Sequence, residues 1–559
     1  MITRSELDHN EARKWRSSAG SGPLVVIVIG TRKADRAGES CASPGAESTA
    51  AATADTGLVY RRVVAGAEPD RELYQSALAL AERTWLTAVA GPALAGRLAG
   101  VRARGRSVAL VGAGVVNLIT ALRLLRDGYE VAVYDASPDP RNAAPWTAYG
   151  CSRGGGDARM FTLTEADGYH WPPGSGPVPF HRPVKESGWR IATPATLSAQ
   201  DLDWAEDSAG IPPWLARSYT EDVLLFNQVA RDLWRELAWR EPALFDDVGL
   251  REGILRLYTD PNRLRAQVAR QRRLGAARAV LSPDEVAERY PALRDACAAR
   301  ALAGGIEVVG FTVQVHRFLA ALADLLEQAG ARLHWDCPVT GLSRDAHGLP
   351  DGLIRAGGRV RADHYVLSPG AYGGQLLRGT VSQGLIHGVL GAWLSLPNPA
   401  PRLENSLKIS FSGHIAEDAN VTVVTAPNGE SRLVVGSGYG WTGSDPENID
   451  PGELDALYGA IEDTAARFFP GPFEEARDAG LAKENRKHCV RPWTASSLPV
   501  LEIANAAGGL LVVTGGHNTG GFAQAPAVAQ AVADALAGQA HPMHVRYHPD
   551  RLRLFYRHR

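Results

Sequence analysis

Cysteine is scarce and unpatterned in this sequence. Its five cysteines (Cys41, Cys151, Cys297, Cys337 and Cys489) are scattered over 559 residues. None forms a CxxC or Cys/His cluster, which disfavours both a disulfide framework and a zinc site. No metal is expected, and a reducing cytoplasm is the expected compartment. Basic excess is missing too: 59 Lys and Arg stand against 61 Asp and Glu, a formal net charge of -2. Sequence-independent nucleic-acid binding needs clustered positive charge, so nucleic acid is not an expected partner. Long apolar runs are absent as well. LVVIVIG (24–30) is far shorter than the ~20 residues of a membrane helix. The opening MITRSELDHNEARKWR has no apolar core of the kind an export signal carries. Neither membrane insertion nor export is expected. Residues 31–57 contain almost no large apolar side chain and read as a flexible loop or linker, because they cannot bury enough surface to offset the entropy of ordering.

What is present is the texture of a large globular protein. With 45% hydrophobic and 21% charged residues, the length allows about three to four domain-sized units. RELYQSALALAERTWLTAVAG (71–91) has helical apolar spacing. Together with the two short strand-like runs before it, this makes residues 1–104 an N-terminal extension, partly flexible, with no assigned function. From Ser107 the pattern is apolar run, glycine turn, amphipathic helix, then a second apolar run closed by Asp135: a βαβ unit. Helix-turn-strand patterns recur at 315–339 and 359–377, and the chain ends in strand, glycine loop and Ala-rich helix at 508–538. The expected organisation is a nucleotide domain built from 105–174, 301–379 and 479–559, interrupted by a second domain at 175–300 and 380–478.

Gly112, Gly114 and Asn117 occupy the three positions of a dinucleotide turn, with Val115 and Val116 opening the helix. The first glycine permits the tight turn, and the second lets backbone approach a pyrophosphate at the helix N-terminus. The acid, Asp135, suits ribose hydroxyls. Asn117 departs from the usual third glycine, which serves close helix-strand packing. GGGDARMFTLTE (154–165) raises a separate question, since three successive glycines imply that something must come close to the backbone.

Later motifs bear on that question. RKHCVRPWTASSLPVLE (486–502) and TGGHNTGGFAQAPAVAQ (514–530) resemble the C-terminal signature of the D-amino acid oxidase/glycine oxidase/sarcosine oxidase superfamily of FAD enzymes. The 154–165 stretch resembles the second FAD loop of its monomeric sarcosine oxidase branch. The resemblance spans about residues 105 to 540 and leaves the first hundred outside. It implies an α/β plus α+β fold: a Rossmann-type FAD-binding domain with an inserted mixed-sheet substrate domain and an N-terminal extension. It implies FAD contacts from Gly155, Gly156, Asp157 and Arg159, and from Gly516, His517, Asn518, Thr519, Gly520 and Gly521. Val339 and Gly370 are added to the expected FAD contacts.

The resemblance also implies roles near the reacting atoms. Arg159 would place a fixed positive charge beside the flavin. Arg491, in the Arg-Pro strand, would hold a substrate carboxylate bidentately, as in the glycine oxidase branch. The cations of the sarcosine-type clamp are missing, with Thr162 and Ala523 or Gln524 in those places. Cys489 matches the position of a covalent flavin link in the sarcosine oxidase branch; a small buried hydrophobe is the alternative, and both stay open. Ser497 replaces a usual Asp. Val434 stands where that branch has an oxygen-activating lysine; Lys408 is the candidate spatial substitute, with a solvated charge on a strand as its alternative. His387 and Tyr439 are candidates for the pocket wall, with buried packing as their alternative.

The expected activity is oxidation of a C–N bond in an amino acid or secondary amine to an imine that hydrolyses, with O2 reduced to H2O2, on a specialised biosynthetic substrate. A dehydrogenase using another acceptor and a noncatalytic flavin-binding subunit remain open, the first because of Val434, the second because of Thr162 and Ser497.

Overall fold

The computed structural model describes residues 2–3, 24–31, 58–65, 70–101, 106–150, 159–165, 178–411, 415, 418–426 and 428–556. Two sheets organise them. The first has six strands in the order Arg332–His334, Glu130–Tyr134, Ser107–Val111, His364–Leu367, Leu510–Gly515 and Val500–Asn505. The first five run parallel and the last is antiparallel. Strand sequences such as SVALV and LLVVTG are almost wholly buried, as strands covered on both faces must be. The helix Val115–Arg126 packs on the last long helix, Gly521–Leu536, whose alanines allow close approach. Strands, turns and helices at 107–135 follow the expected βαβ order.

The second sheet is mixed. Its strands run in the order Lys487–Thr494, Ile386–Pro397, Ser431–Gly443, Ala419–Thr425, Leu407–Ser410, Arg251–Tyr258, Gly304–Val313 and Arg159–Thr162, with Ala277–Leu281 also paired to Gly304–Val313. One face is aliphatic: Leu390, Leu394, Leu407, Ile409, Val421 and Val435 lie in a core with Leu457, Ile461 and Phe468 of the helix Pro451–Phe468. Three of these strands, Arg159–Thr162, Gly304–Val313 and Lys487–Thr494, fall in stretches that the sequence reading gave to the nucleotide domain. Local pattern shows that a stretch is a strand but not which distant strand it pairs with.

In the N-terminal extension, Leu24–Thr31 and Leu58–Ala65 pair in parallel through eight registered positions. The 30-residue helix Asp70–Ala99 packs against them and against the helix Pro213–Arg240. Among the described residues no helix is long and apolar enough to cross a membrane.

Candidate active site

The site is assembled where the glycine turns of the first sheet meet the edge of the second. Gly112 adopts φ +95°, and a Cβ there would collide with the Ser368 carbonyl oxygen. Only glycine suits both demands. Asn117 is buried, and its Nδ2 donates to the carbonyls of Val111 and Gly112 at 2.8 and 2.9 Å. The side chain thus ties the turn to its own strand, a role the missing third glycine could not have. Asp135 accepts the Ala113 N–H through Oδ2 and the Ser137 N–H through Oδ1 at 2.6 Å. Val339 begins a strand just after Cys337, whose N–H donates to the Asp135 carbonyl at 2.7 Å. Gly370 follows Ser368, which abuts Gly112. These expected contacts are therefore neighbours. Gly155, Gly156 and Asp157 lie outside the described residues. Arg159 opens the edge strand Arg159–Thr162 and is half-buried.

The second glycine loop is held from two sides. The Asn518 N–H donates to the Pro492 carbonyl at 2.9 Å, and its Nδ2 donates to the Ser497 carbonyl at 2.7 Å. Both Asn518 and Ser497 have positive φ, +53° and +51°. The Ser497 turn, which departs from the superfamily pattern, is thereby used as a backbone acceptor. Thr519 Oγ1 donates to Glu165 Oε1 at 3.1 Å, and Lys408 Nζ donates to Glu165 Oε2 at 2.6 Å. Ala523 and Gln524 are buried, Gln524 being engaged with Asn227 and Tyr547.

The described residues fit an FAD. At Gly114 a Cβ would meet nothing within 4 Å, so open space lies beside the turn, while the starts of the two helices approach each other at Gly521 and Val116. Two helix N-termini aimed at one region favour an anion such as a pyrophosphate. His517 is buried, and neither ring nitrogen has a protein partner. Burial pushes its pKa down to about 4, so the ring is neutral, with one donor and one acceptor to offer a bound group. Gly112→Ala is expected to lower the flavin-to-protein absorbance ratio by about tenfold or more, because the substitution is strained by positive φ as well as by the collision.

The second sheet contributes its other face. Trp393, Gly436, Asn420, Lys408 and Arg256 are directly opposed across five strands, so they share one side. Gly391 opposite Cys489, and Val389 opposite Arg491, put those residues on that side too. Arg491 lies over Gly391, where a Cβ would run into its guanidinium; Gly436 makes the same allowance for the Trp393 indole. The Arg491 Nη2 donates to the carbonyls of Leu390 and Gly438 at 3.2 and 2.7 Å. Its Nε is buried without a partner, and no carboxylate among the described residues pairs with it. Arg491 precedes Pro492, the acceptor of the Asn518 N–H, so the guanidinium is next to the join between the two sheets.

Arg491 and Lys408 are four strands apart, roughly 19 Å at ~4.8 Å per strand. They share a face but cannot hold the same small molecule. Cys489 is 4% exposed and packs with Trp393 and Val434. His387 is fully buried, stacks on Trp204 at 4.4 Å, and accepts from Trp441 Nε1 at 3.3 Å; it packs rather than lines a pocket. Tyr439 is half-buried beside Arg491. Sequence reading missed Glu165, Gly391 and Gly436. The two glycines carried a usable signal, since glycine inside a strand marks close approach; Glu165 carried none.

Comparisons with known proteins agree with this fold. A D-amino acid dehydrogenase from Methylobacterium sp. (strain 4-46) is 26% identical over 466 residues, covering 78% of this chain and 96% of that protein. The glycine oxidase structure from Geobacillus kaustophilus superposes with a TM-score of 0.53 at 20% identity, covering 78% of this chain and 96% of that one. The iminodiacetate oxidase structure from Chelativorans sp. BNC1 gives 0.51 at 18% identity, covering 79% and 98%. Residues 107–535 match the family described as DAO, FAD dependent oxidoreductase. The chain belongs to this family, and it is an FAD-dependent oxidoreductase.

Proposed function

We propose that the protein oxidises the C–N bond of an α-amino acid, primary or N-substituted, whose carboxylate is held by Arg491. The observation that carries this reading is a half-buried guanidinium seated on Gly391, without a carboxylate partner among the described residues. A guanidinium offers a planar donor pair matched to a carboxylate. FAD, when bound, supplies the two-electron acceptor: the Cα hydrogen leaves with its electron pair, the nitrogen loses a proton, and the imine takes up water to give carbonyl and amine. Arg491 would fix the amino acid beside the join, Asn518 would hold the loop there, and His517 would offer a neutral ring to the cofactor. A specialised biosynthetic substrate remains the preferred setting, in keeping with the missing sarcosine-type clamp.

Oxygen is the proposed acceptor, giving H2O2. One observation favours a second reading with another acceptor: Lys408, the candidate for oxygen activation, is already ion-paired with Glu165. Anaerobic bleaching by amino acids tests the oxidation; admitting air then separates the acceptors, since reoxidation within seconds identifies an oxidase and persistence of reduced flavin for minutes a dehydrogenase.

The burial of Cys489 against Trp393 and Val434 supports noncovalent FAD. Acid precipitation is expected to release the yellow colour into the supernatant. Colour that stays in the pellet, and leaves it in Cys489→Ala, would assign the covalent link instead.

A further inference from the structure

The carboxylate anchor lies at the foot of an aromatic wall. Tyr439 has its ring centroid 5.1 Å from Arg491 Cζ. Trp189 stacks on Tyr439 at 4.1 Å, with planes 10° apart. Trp493, two residues beyond Arg491 on the same strand and face, stands edge-on to both rings at 5.6 and 5.9 Å. Trp393 faces the guanidinium at 5.8 Å. Trp493 is fully buried and fixes the wall from behind, whereas Trp189 and Tyr439 are half-buried and keep part of their surface open. Next to Trp393 the same sheet face turns polar, with Asn420, Lys408 and Arg256, before the apolar cluster of Ile254 and Tyr258.

We propose that the substrate is an amino acid with an aromatic side chain, and that Tyr439 and Trp189 determine this specificity. The proposal rests on Arg491 holding the carboxylate. Once that end is fixed, the side chain begins within a few ångströms of the guanidinium, which is where Tyr439 lies. An aromatic group there gains ring-ring contact and leaves no polar group unpaired. An acidic side chain would bring a second carboxylate to electron-rich ring faces that offer it no donor. A cationic one would compete with Arg491 for those faces and be repelled by it. Glycine would leave the wall uncovered.

The test measures anaerobic bleaching of the holoenzyme by both enantiomers of phenylalanine, tryptophan and N-methylphenylalanine, against glycine, glutamate, lysine and iminodiacetate. Aromatic substrates are expected to exceed the others in kcat/KM by about tenfold or more, the scale of one good ring-ring contact. Tyr439→Leu should remove that preference mainly through KM, and Tyr439→Phe, which retains the ring, should restore most of it. A binding arm, read from the flavin spectrum, compares indole-3-acetate with acetate. Tighter binding of the aromatic acid, lost in Tyr439→Leu, supports the wall. Equal binding of the two acids, or glycine or glutamate outrunning the aromatic amino acids, overturns it. Bleaching by no amino acid together with tight indole-3-acetate binding would leave the wall assigned and remove the oxidation reading.

Discussion

Arg491→Met is expected to lose about three orders of magnitude in kcat/KM on an amino-acid substrate while retaining its flavin. A carboxylate on this guanidinium would make two charge-assisted hydrogen bonds, each contributing ~1.5–3 kcal/mol. Their sum corresponds to a loss of roughly 10² to 10⁴. Arg491→Lys keeps the charge without the planar fork and should recover about one order of magnitude. Gly391→Ala offers an independent route to the same deficit, because the added methyl occupies the place of the guanidinium while Arg491 itself remains. Stopped-flow reduction at several substrate concentrations, beside the flavin-to-protein ratio, is the measurement. Undiminished reduction in both variants would remove Arg491 from the substrate site. Loss of flavin from Arg491→Met would instead place the residue in the cofactor site.

The difference between Arg491 and Glu165 shows which parts of the site the sequence makes legible. Gly112, Gly114 and Asp135 can be read because strand, turn, helix and strand are contiguous, and each residue answers a requirement set within its own turn. Arg491 is readable through its motif. Its seat on Gly391 is not, because that contact depends on pairing between Ile386–Pro397 and Lys487–Thr494, about a hundred residues apart. A glycine inside IHGVLGAWL announces that something comes close but not what. Glu165 looks like any loop acid until the fold brings Lys408 and Thr519 to its two oxygens. The separation of Lys408 from Arg491 is likewise a matter of strand order, and no local pattern encodes the order of eight strands. The aromatic wall follows the same rule: Trp189, Tyr439 and Trp493 come from three distant segments.

The largest stability effect is expected at Arg551, near the opposite end of the chain from the helix it holds. Its guanidinium is fully buried; Nε and Nη2 donate to Glu82 at 2.7 and 2.8 Å, and Nη1 donates to Asp222 at 2.7 Å. Arg546 and Arg83 also pair with Asp222, Arg83 at 3.3 Å. Glu82 and Arg83 belong to the extension helix Asp70–Ala99, and Asp222 to Pro213–Arg240. One charge network therefore fastens the extension to the catalytic body. Arg551→Met leaves Glu82 buried without its bidentate partner and should cost about 3–5 kcal/mol. Protease cleavage within Asp70–Ala99 should appear before loss of flavin.

Adding Glu82→Gln to Arg551→Met should return part of the loss, because the stranded charge is the larger penalty. Acid provides a second readout. Burial holds His387, His517 and His544 down to about 4, while an unfolded chain takes up a proton at each below about 6.5. Stability therefore falls as pH drops from about 6.5 toward 4, by on the order of 1.4 kcal/mol per pH unit for each histidine. For Asp222, burial alone would raise the pKa, but Arg551, Arg83 and Arg546 outweigh it and hold the carboxyl below its ordinary range. Its contribution is present above about pH 4 and is lost as pH falls further toward the depressed folded value. Urea midpoints across this range should fall with acid in both proteins. In Arg551→Met the histidine slope should persist and the steep step below pH 4 should shrink. An unchanged step would show that Arg83 and Arg546 suffice to hold Asp222, and would leave Glu82 as the only group that depends on Arg551.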